Sequence, residues 1–202
     1  MNKNIEKFFH SQINEHIRVI KKTGCSLEDD FVKLVNLCYK SIKSGNKIIF
    51  FGNGGSASDA QHLSTELTVR YSKNRRSIPA ISLVTDTSTL SAIGNDLGFE
   101  QIFSRQLEAL GKAGDIAVGI STSGTSKNVV NALTFAKKKG IKTVILTGKN
   151  TQKVEKVADI IISIPSGVTS RIQETHILIG QMLCNALEFK LGLAPLVKEE
   201  TE

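Results

Sequence analysis

The sequence predicts an α/β fold in which a parallel sheet is covered by helices on both faces. Three observations carry this. Strand-like apolar runs recur at Lys47–Phe51, Pro79–Leu83, Asp115–Ile120, Lys142–Leu146 and Asp159–Ile164, and helical stretches separate them. Two of the runs also empty into a turn rich in glycine or hydroxyl side chains, followed by a helix start. Parallel sheets receive ligands beyond the carboxyl ends of their strands, where both turns belong.

The elements follow in order. From about Ile5 to Ile42, apolar residues recur at helical spacing, among them Phe8, Ile13, Ile17, Ile20, Phe31, Leu34 and Leu37. A break near Gly24 divides this stretch into two expected helices, an N-terminal hairpin whose apolar stripe suits assembly. The run Lys47-Ile-Ile-Phe-Phe51 then leads into Gly52-Asn-Gly-Gly-Ser56. The glycines allow close backbone approach, and the unpaired amides of the next helix favour an anion such as phosphate. On that helix His62 and Glu66 are four residues apart and share one face, so a titratable pair stands one turn below the anion loop.

After the third run comes Ser121-Thr-Ser-Gly-Thr-Ser126, with five hydroxyls in six positions. One hydroxyl would cap the helix that starts at Asn128, but five exceed that need and suit phosphate oxygens. Lys137-Lys-Lys139 closes this helix before Gly140 and complements its dipole. Thr169 opens a last long helix. There Gln173 and Gln181 lie about 80° apart and are expected to face one pocket, whereas His176 lies roughly 140° from Gln181 and is expected to pack or to face an interface.

Bulk properties exclude several classes. The chain has 202 residues, 40% hydrophobic and 22% charged, which is an ordinary globular balance. Its net charge of +7 is dispersed, and with 5% aromatic residues and no Trp no stacking platform for single strands is expected. Attraction for anionic metabolites is the milder consequence. The charged start Met1-Asn-Lys-Asn-Ile-Glu-Lys7 is unlike a secretory leader and no apolar run approaches membrane-spanning length, so a cytoplasmic protein without membrane or direct nucleic-acid binding is expected. Cys25, Cys38 and Cys184 lack metal-type spacing and read as reduced, mostly buried thiols.

Taken together, Gly52-Asn-Gly-Gly-Ser56, His62 with Glu66, Glu66-Leu-Thr68 leading to Arg70-Tyr71, Gly94-Asn-Asp96, Phe103-Ser-Arg105, Gly119-Ile-Ser-Thr-Ser-Gly124, Leu146-Thr-Gly-Lys149 and Arg171-Ile-Gln-Glu174 resemble the bacterial phosphoheptose isomerases, which are sugar-isomerase (SIS) domain proteins. The match runs from about residue 45 to 192. It implies an SIS-type, flavodoxin-like doubly wound fold over residues 1–202, with 1–45 used in oligomerisation and 46–192 as the α/β core. It also implies a homotetramer whose neighbouring subunits complete each site. The implied reaction converts sedoheptulose 7-phosphate to glycero-manno-heptose 7-phosphate, a precursor of lipopolysaccharide heptose.

By the same resemblance, Asn53, Gly54, Gly55 and Ser56 contact substrate, with Asn95 and Asp96 beside the sugar. Ser121, Thr122, Ser123 and Ser126 hold the phosphate. Glu66 moves the proton between C1 and C2 through an enediol, a task suited to a positioned carboxylate. In zinc-binding members the ligands match His62, Glu66 and Gln173, with a histidine on the last helix. Here that position, expected to supply the acid partner, is Gln181. An amide neither shuttles protons at neutral pH nor binds zinc as an imidazole does, so only weak zinc binding is expected. The alternative implied by the same fold is a non-catalytic tetramer that associates with the replication initiator DnaA. That relative lacks the glutamate matching Glu66.

Overall fold

The computed structural model describes residues 3–195; the outermost residues of the expected 1–202 unit lie outside them. The elements are α1 (Lys3–Lys43), β1 (Ile48–Gly52), α2 (Gly55–Thr68), β2 (Ala80–Ser82), α3 (Thr87–Asp96), a 3-10 turn at Phe99–Gln101, α4 (Ser104–Leu110), β3 (Ile116–Ser121), α5 (Lys127–Lys138), β4 (Lys142–Thr147), β5 (Ile160–Ser163) and α6 (Thr169–Lys190). All five expected strands are present, pair in parallel, and lie in the order β2-β1-β3-β4-β5. That order reverses between β1 and β3, so a crevice opens beyond their carboxyl ends.

The expected N-terminal hairpin is corrected: α1 is one helix of 41 residues running through Gly24. A glycine inside a helix costs about 1 kcal/mol relative to alanine, but the apolar face keeps its phase across it. Val19, Thr23 and Leu27 are buried before and after Gly24, and Leu34, Cys38 and Ile42 continue the same face. Packing along the whole face outweighs the local penalty. The helix is tied to α6 by His16 Nδ1, 2.6 Å from Glu174 Oε2, and by Arg171 Nη1, which donates to Gln12 O at 2.6 Å.

The core centres on the sheet. Ile48 to Phe51 of β1 and Ile116 to Val118 of β3 are buried, as doubly covered parallel strands require. Helix α6 contacts both α1 and α2 in one layer, while α4 and α5 form another with the 3-10 turn. Phe51 meets Phe103 at 5.2 Å between ring centroids. Cys38 and Cys184 are buried as expected, and burial pushes the Cys38 thiol up to about 12 and that of Cys184 up as well. Cys25, on the outer side of α1, is the exposed one of the three. Among the described residues no helix is long and apolar enough to cross a membrane.

Candidate functional site

Parallel pairing of β1 with β3 sets Phe51 opposite Gly119 and Gly52 opposite Ile120. The two strands therefore end side by side, and the turns that follow them face one another. Asn53 and Asn128 join these turns: Asn53 Nδ2 donates to Asn128 Oδ1 at 2.9 Å, and Asn128 Nδ2 donates back to Asn53 Oδ1 at 2.9 Å. Sequence reasoning missed Asn128 in this role. Its only local signal is a carboxamide in the first turn of a helix that turns out to be buried.

Neither helix that starts from these turns carries a side-chain cap; the capping positions are Gly54 for α2 and Ser126 for α5. The Ser126 hydroxyl points instead to Ser121 Oγ, 3.0 Å away, and Ser123 Oγ is 3.5 Å from Ser121 Oγ. Thr125 donates to Ser123 Oγ from its amide at 3.2 Å and from its hydroxyl at 3.0 Å. The hydroxyls are thus gathered at the start of α5 and not spent on capping it, the arrangement that receives phosphate oxygens. Gly124, at φ +65°, permits the turn, since a Cβ there would collide with Asn150 O and stand 2.8 Å from Thr147 Oγ1. Thr122 is half-buried, and its carbonyl accepts from Gly148 N at 3.1 Å, tying the turn to the end of β4.

Helix α6 lies along α2. Near the start of α2, a Cβ on Gly55 would stand 2.5 Å from Gln173 Nε2. Further along, a Cβ on Gly180 would stand 2.5 Å from Leu63 Cδ2, so the absence of a side chain lets the helices approach at that level. Next to this contact Gln181 Nε2 is 2.9 Å from His62 Nε2, which in turn is 3.0 Å from Glu66 Oε1. One imidazole nitrogen serves one of these partners at a time. Protonated, it donates to Glu66; unprotonated, it accepts from Gln181. Asp59, one turn before His62, has its carboxyl raised by partial burial, against the opposing pull of His62.

The structure therefore brings Asn53, Gly54, Gly55 and Ser56 to the mouth of the crevice, Ser121, Thr122, Ser123 and Ser126 beside them, and His62, Glu66, Gln173 and Gln181 along the α2–α6 seam. Asn95 and Asp96 are exposed at the end of α3, where Asn95 Nδ2 donates to Asp96 Oδ1 at 2.8 Å. Their segment reaches the start of α5 through Glu100, 2.8 Å from Lys127 Nζ. No hydrogen bond among the described residues links the pair directly to either turn. His176 does not join the site. It is wholly buried, neither ring nitrogen makes a well-formed hydrogen bond, and burial pushes its imidazole down to about 4 despite the nearby backbone of Thr147.

The expected pairing of Gln173 with Gln181 in one pocket is corrected: Gln173 stands by Gly55 at the start of α2, about 12 Å along α6 from Gln181, so the group that meets at His62 offers one imidazole, one carboxylate and one carboxamide. Among the described residues no three His, Cys, Asp or Glu side chains gather. Neutral amide oxygens are poor zinc donors, so the set does not fit a resident zinc ion.

Comparison with known proteins agrees with this geometry. The family described as SIS domain matches residues 9–148. The chain is 50% identical over 181 residues to the phosphoheptose isomerase of Paramagnetospirillum magneticum, spanning 90% of this chain and 94% of that protein. Among solved structures it is similar to a phosphoheptose isomerase from Neisseria gonorrhoeae (37% identity, 92% of this chain and 99% of that chain, TM-score 0.87) and to one from Francisella tularensis (31% identity, 94% and 100%, TM-score 0.88).

Proposed function

The chain belongs to the phosphoheptose isomerases of the SIS-domain family, and from that premise we infer that it is an aldose–ketose isomerase acting on sedoheptulose 7-phosphate to give D-glycero-D-manno-heptose 7-phosphate, a lipopolysaccharide heptose precursor. The observation that carries this is 50% identity to a phosphoheptose isomerase over nearly the whole chain, together with two turns at neighbouring strand ends and the Glu66 carboxylate, which stands in the last turn of the helix that leaves the first of them and not one turn below it as expected.

In the proposed mechanism the hydroxyls of Ser121, Ser123 and Ser126 and the amides that open α2 and α5 hold the phosphate, a group that does not react. Glu66 takes the proton from C1 of the ketose while O2 takes up a proton from solvent, which gives the enediol; Glu66 then returns its proton to C2 as O1 releases one to solvent and becomes the aldehyde oxygen. The turn at Asn53 to Ser56 and the amide of Gln173 border the sugar. Gln181 acts as a hydrogen-bond partner of His62, since a carboxamide carries no exchangeable charge near neutral pH. The donor set predicts weak zinc binding, and no step here uses a metal.

A homotetramer in the cytoplasm is part of the same proposal. Its support is an apolar surface one chain leaves uncovered: Ile5, Phe8, Phe9, Ile13 and Ile17 of α1, with Leu178 and Met182 of α6, are exposed. A monomer in sedimentation equilibrium would end this part. The DnaA-binding alternative draws no support from the site, where Glu66 is kept and paired with His62.

The deciding experiment incubates purified protein with sedoheptulose 7-phosphate and follows the aldose product. In parallel, DnaA is passed over the immobilised protein. Product formation without DnaA retention is the expected result, and DnaA retention without turnover would replace the isomerase reading with the regulatory one.

A further inference from the structure

Glu66 lies in the last turn of α2, which ends at Thr68. The last carbonyls of a helix have no partner within it, and such ends fray unless something else binds them. Here Arg75 does so. Its Nη2 donates to Glu66 O at 2.8 Å, and its Nη1 donates to Leu67 O at 2.8 Å and to Val69 O at 3.2 Å.

Arg75 is itself held by Glu188 of α6, with Nε donating to Glu188 Oε1 at 2.7 Å. Both side chains are almost wholly buried. Glu188 also accepts from the amides of Tyr71 and Ser72, at 2.8 and 3.3 Å, and from Ser72 Oγ at 3.0 Å. Burial alone would raise its carboxyl, but these donors together with Arg75 hold it below the usual range. A buried ion pair is weak evidence for stability, because apolar residues of similar volume often serve as well. What this one adds is location. Seven residues bring an α-helix back to within about 20° of the same face, so Gln181 and Glu188 both turn toward α2. Gln181 meets it at His62, and Glu188, through Arg75, meets it at the backbone of Glu66.

We propose that Arg75 and Glu188 are positioning residues for isomerisation: they lock the final turn of α2 against α6 and so aim the Glu66 carboxylate at the C1–C2 edge of the bound sugar. The inference rests on the assignment of Glu66 as proton carrier. The phosphate turn lies at the opposite end of α2, outside the reach of the clasp. Loss of the clasp therefore acts on turnover and leaves substrate affinity in place.

The test compares Glu188→Gln, the double variant Arg75→Met with Glu188→Leu, and the milder Ser72→Ala, with Glu66→Gln as reference and sedoheptulose 7-phosphate as substrate. A misplacement of about 1 Å costs on the order of 100-fold in rate, so kcat should fall about 10- to 100-fold in the first two variants with KM within about threefold of the parent. The double variant leaves no lone buried charge; should it melt at or above the parental temperature and still turn over slowly, a purely structural role is excluded. Ser72→Ala removes a single hydrogen bond and should keep the fold, with kcat lower by about two- to fivefold. The proposal is overturned if the folded variants keep parental kcat, if KM rises in step with the loss of kcat, or, should the first two not fold, if Ser72→Ala is indistinguishable from the parent. Retained turnover in Glu66→Gln would instead overturn the assignment of the base, a separate failure.

Discussion

The side-chain amide of Gln181 stands 2.9 Å from Nε2 of His62, and that same nitrogen stands 3.0 Å from Glu66 Oε1. The residue on α6 thus faces the titratable pair on α2, at the position where zinc-binding relatives are expected to carry a histidine. Gln181→His should therefore tighten zinc and raise turnover by about tenfold or more, because it adds both an imidazole donor and a group that titrates near neutral pH. Zinc titration by calorimetry, with initial rates at matched metal, checks both. No change in either would mean that the seam is not where the chemistry occurs.

Glu66→Gln keeps the shape of the side chain and removes its capacity to carry a proton. Turnover should drop by about 10²- to 10⁴-fold, the range for loss of a positioned acid–base group. Binding of the sugar phosphate, followed by calorimetry, should change little.

Ser121→Ala combined with Ser123→Ala removes two of the hydroxyls gathered before α5. Contacts to a phosphate that does not react are similar in ground and transition states, so the loss appears in affinity. KM should rise by about tenfold or more while kcat stays within about threefold. A fall in kcat at constant KM would argue that the turn touches the reacting carbons.

His176 makes the stability of the fold depend on pH. Its folded pKa is depressed to about 4, below the ordinary value of 6.5. Between these values the unfolded chain binds more protons, so stability rises with pH. The contribution is complete above about pH 6.5 and is lost as pH falls toward about 4. Denaturation at about pH 7.5 and about pH 5 should show a loss on the order of 2 kcal/mol in the parent that is absent from His176→Leu. Equal losses in the two proteins would sink this account.

What could be read from the sequence was local. A run such as Lys47–Phe51 is strand-forming and doubly covered wherever it sits, and a turn of glycines or hydroxyls before a helix start exposes amides whatever the rest of the chain does. That is why the five strands, the two turns and the His62–Glu66 spacing were legible before any coordinates. The unbroken α1 was not, because the local cost of Gly24 is visible in the sequence while the packed face that outweighs it is a property of the assembled fold.

The partnerships that organise the site were decided only by tertiary structure. Asn53 meets Asn128 across 75 residues, Arg75 meets Glu188 across 113, and His62 meets Gln181 across 119. No periodicity spans such separations. They follow from the order of strands in the sheet and from the close approach of α6 to α2 at Gly180. The sequence by itself determined which chemical groups the chain could bring to a phosphorylated sugar. The packing of α6 on α2 decided which of those groups touch, because hydrogen bonds form only within about 3 Å and that distance is set by the whole core.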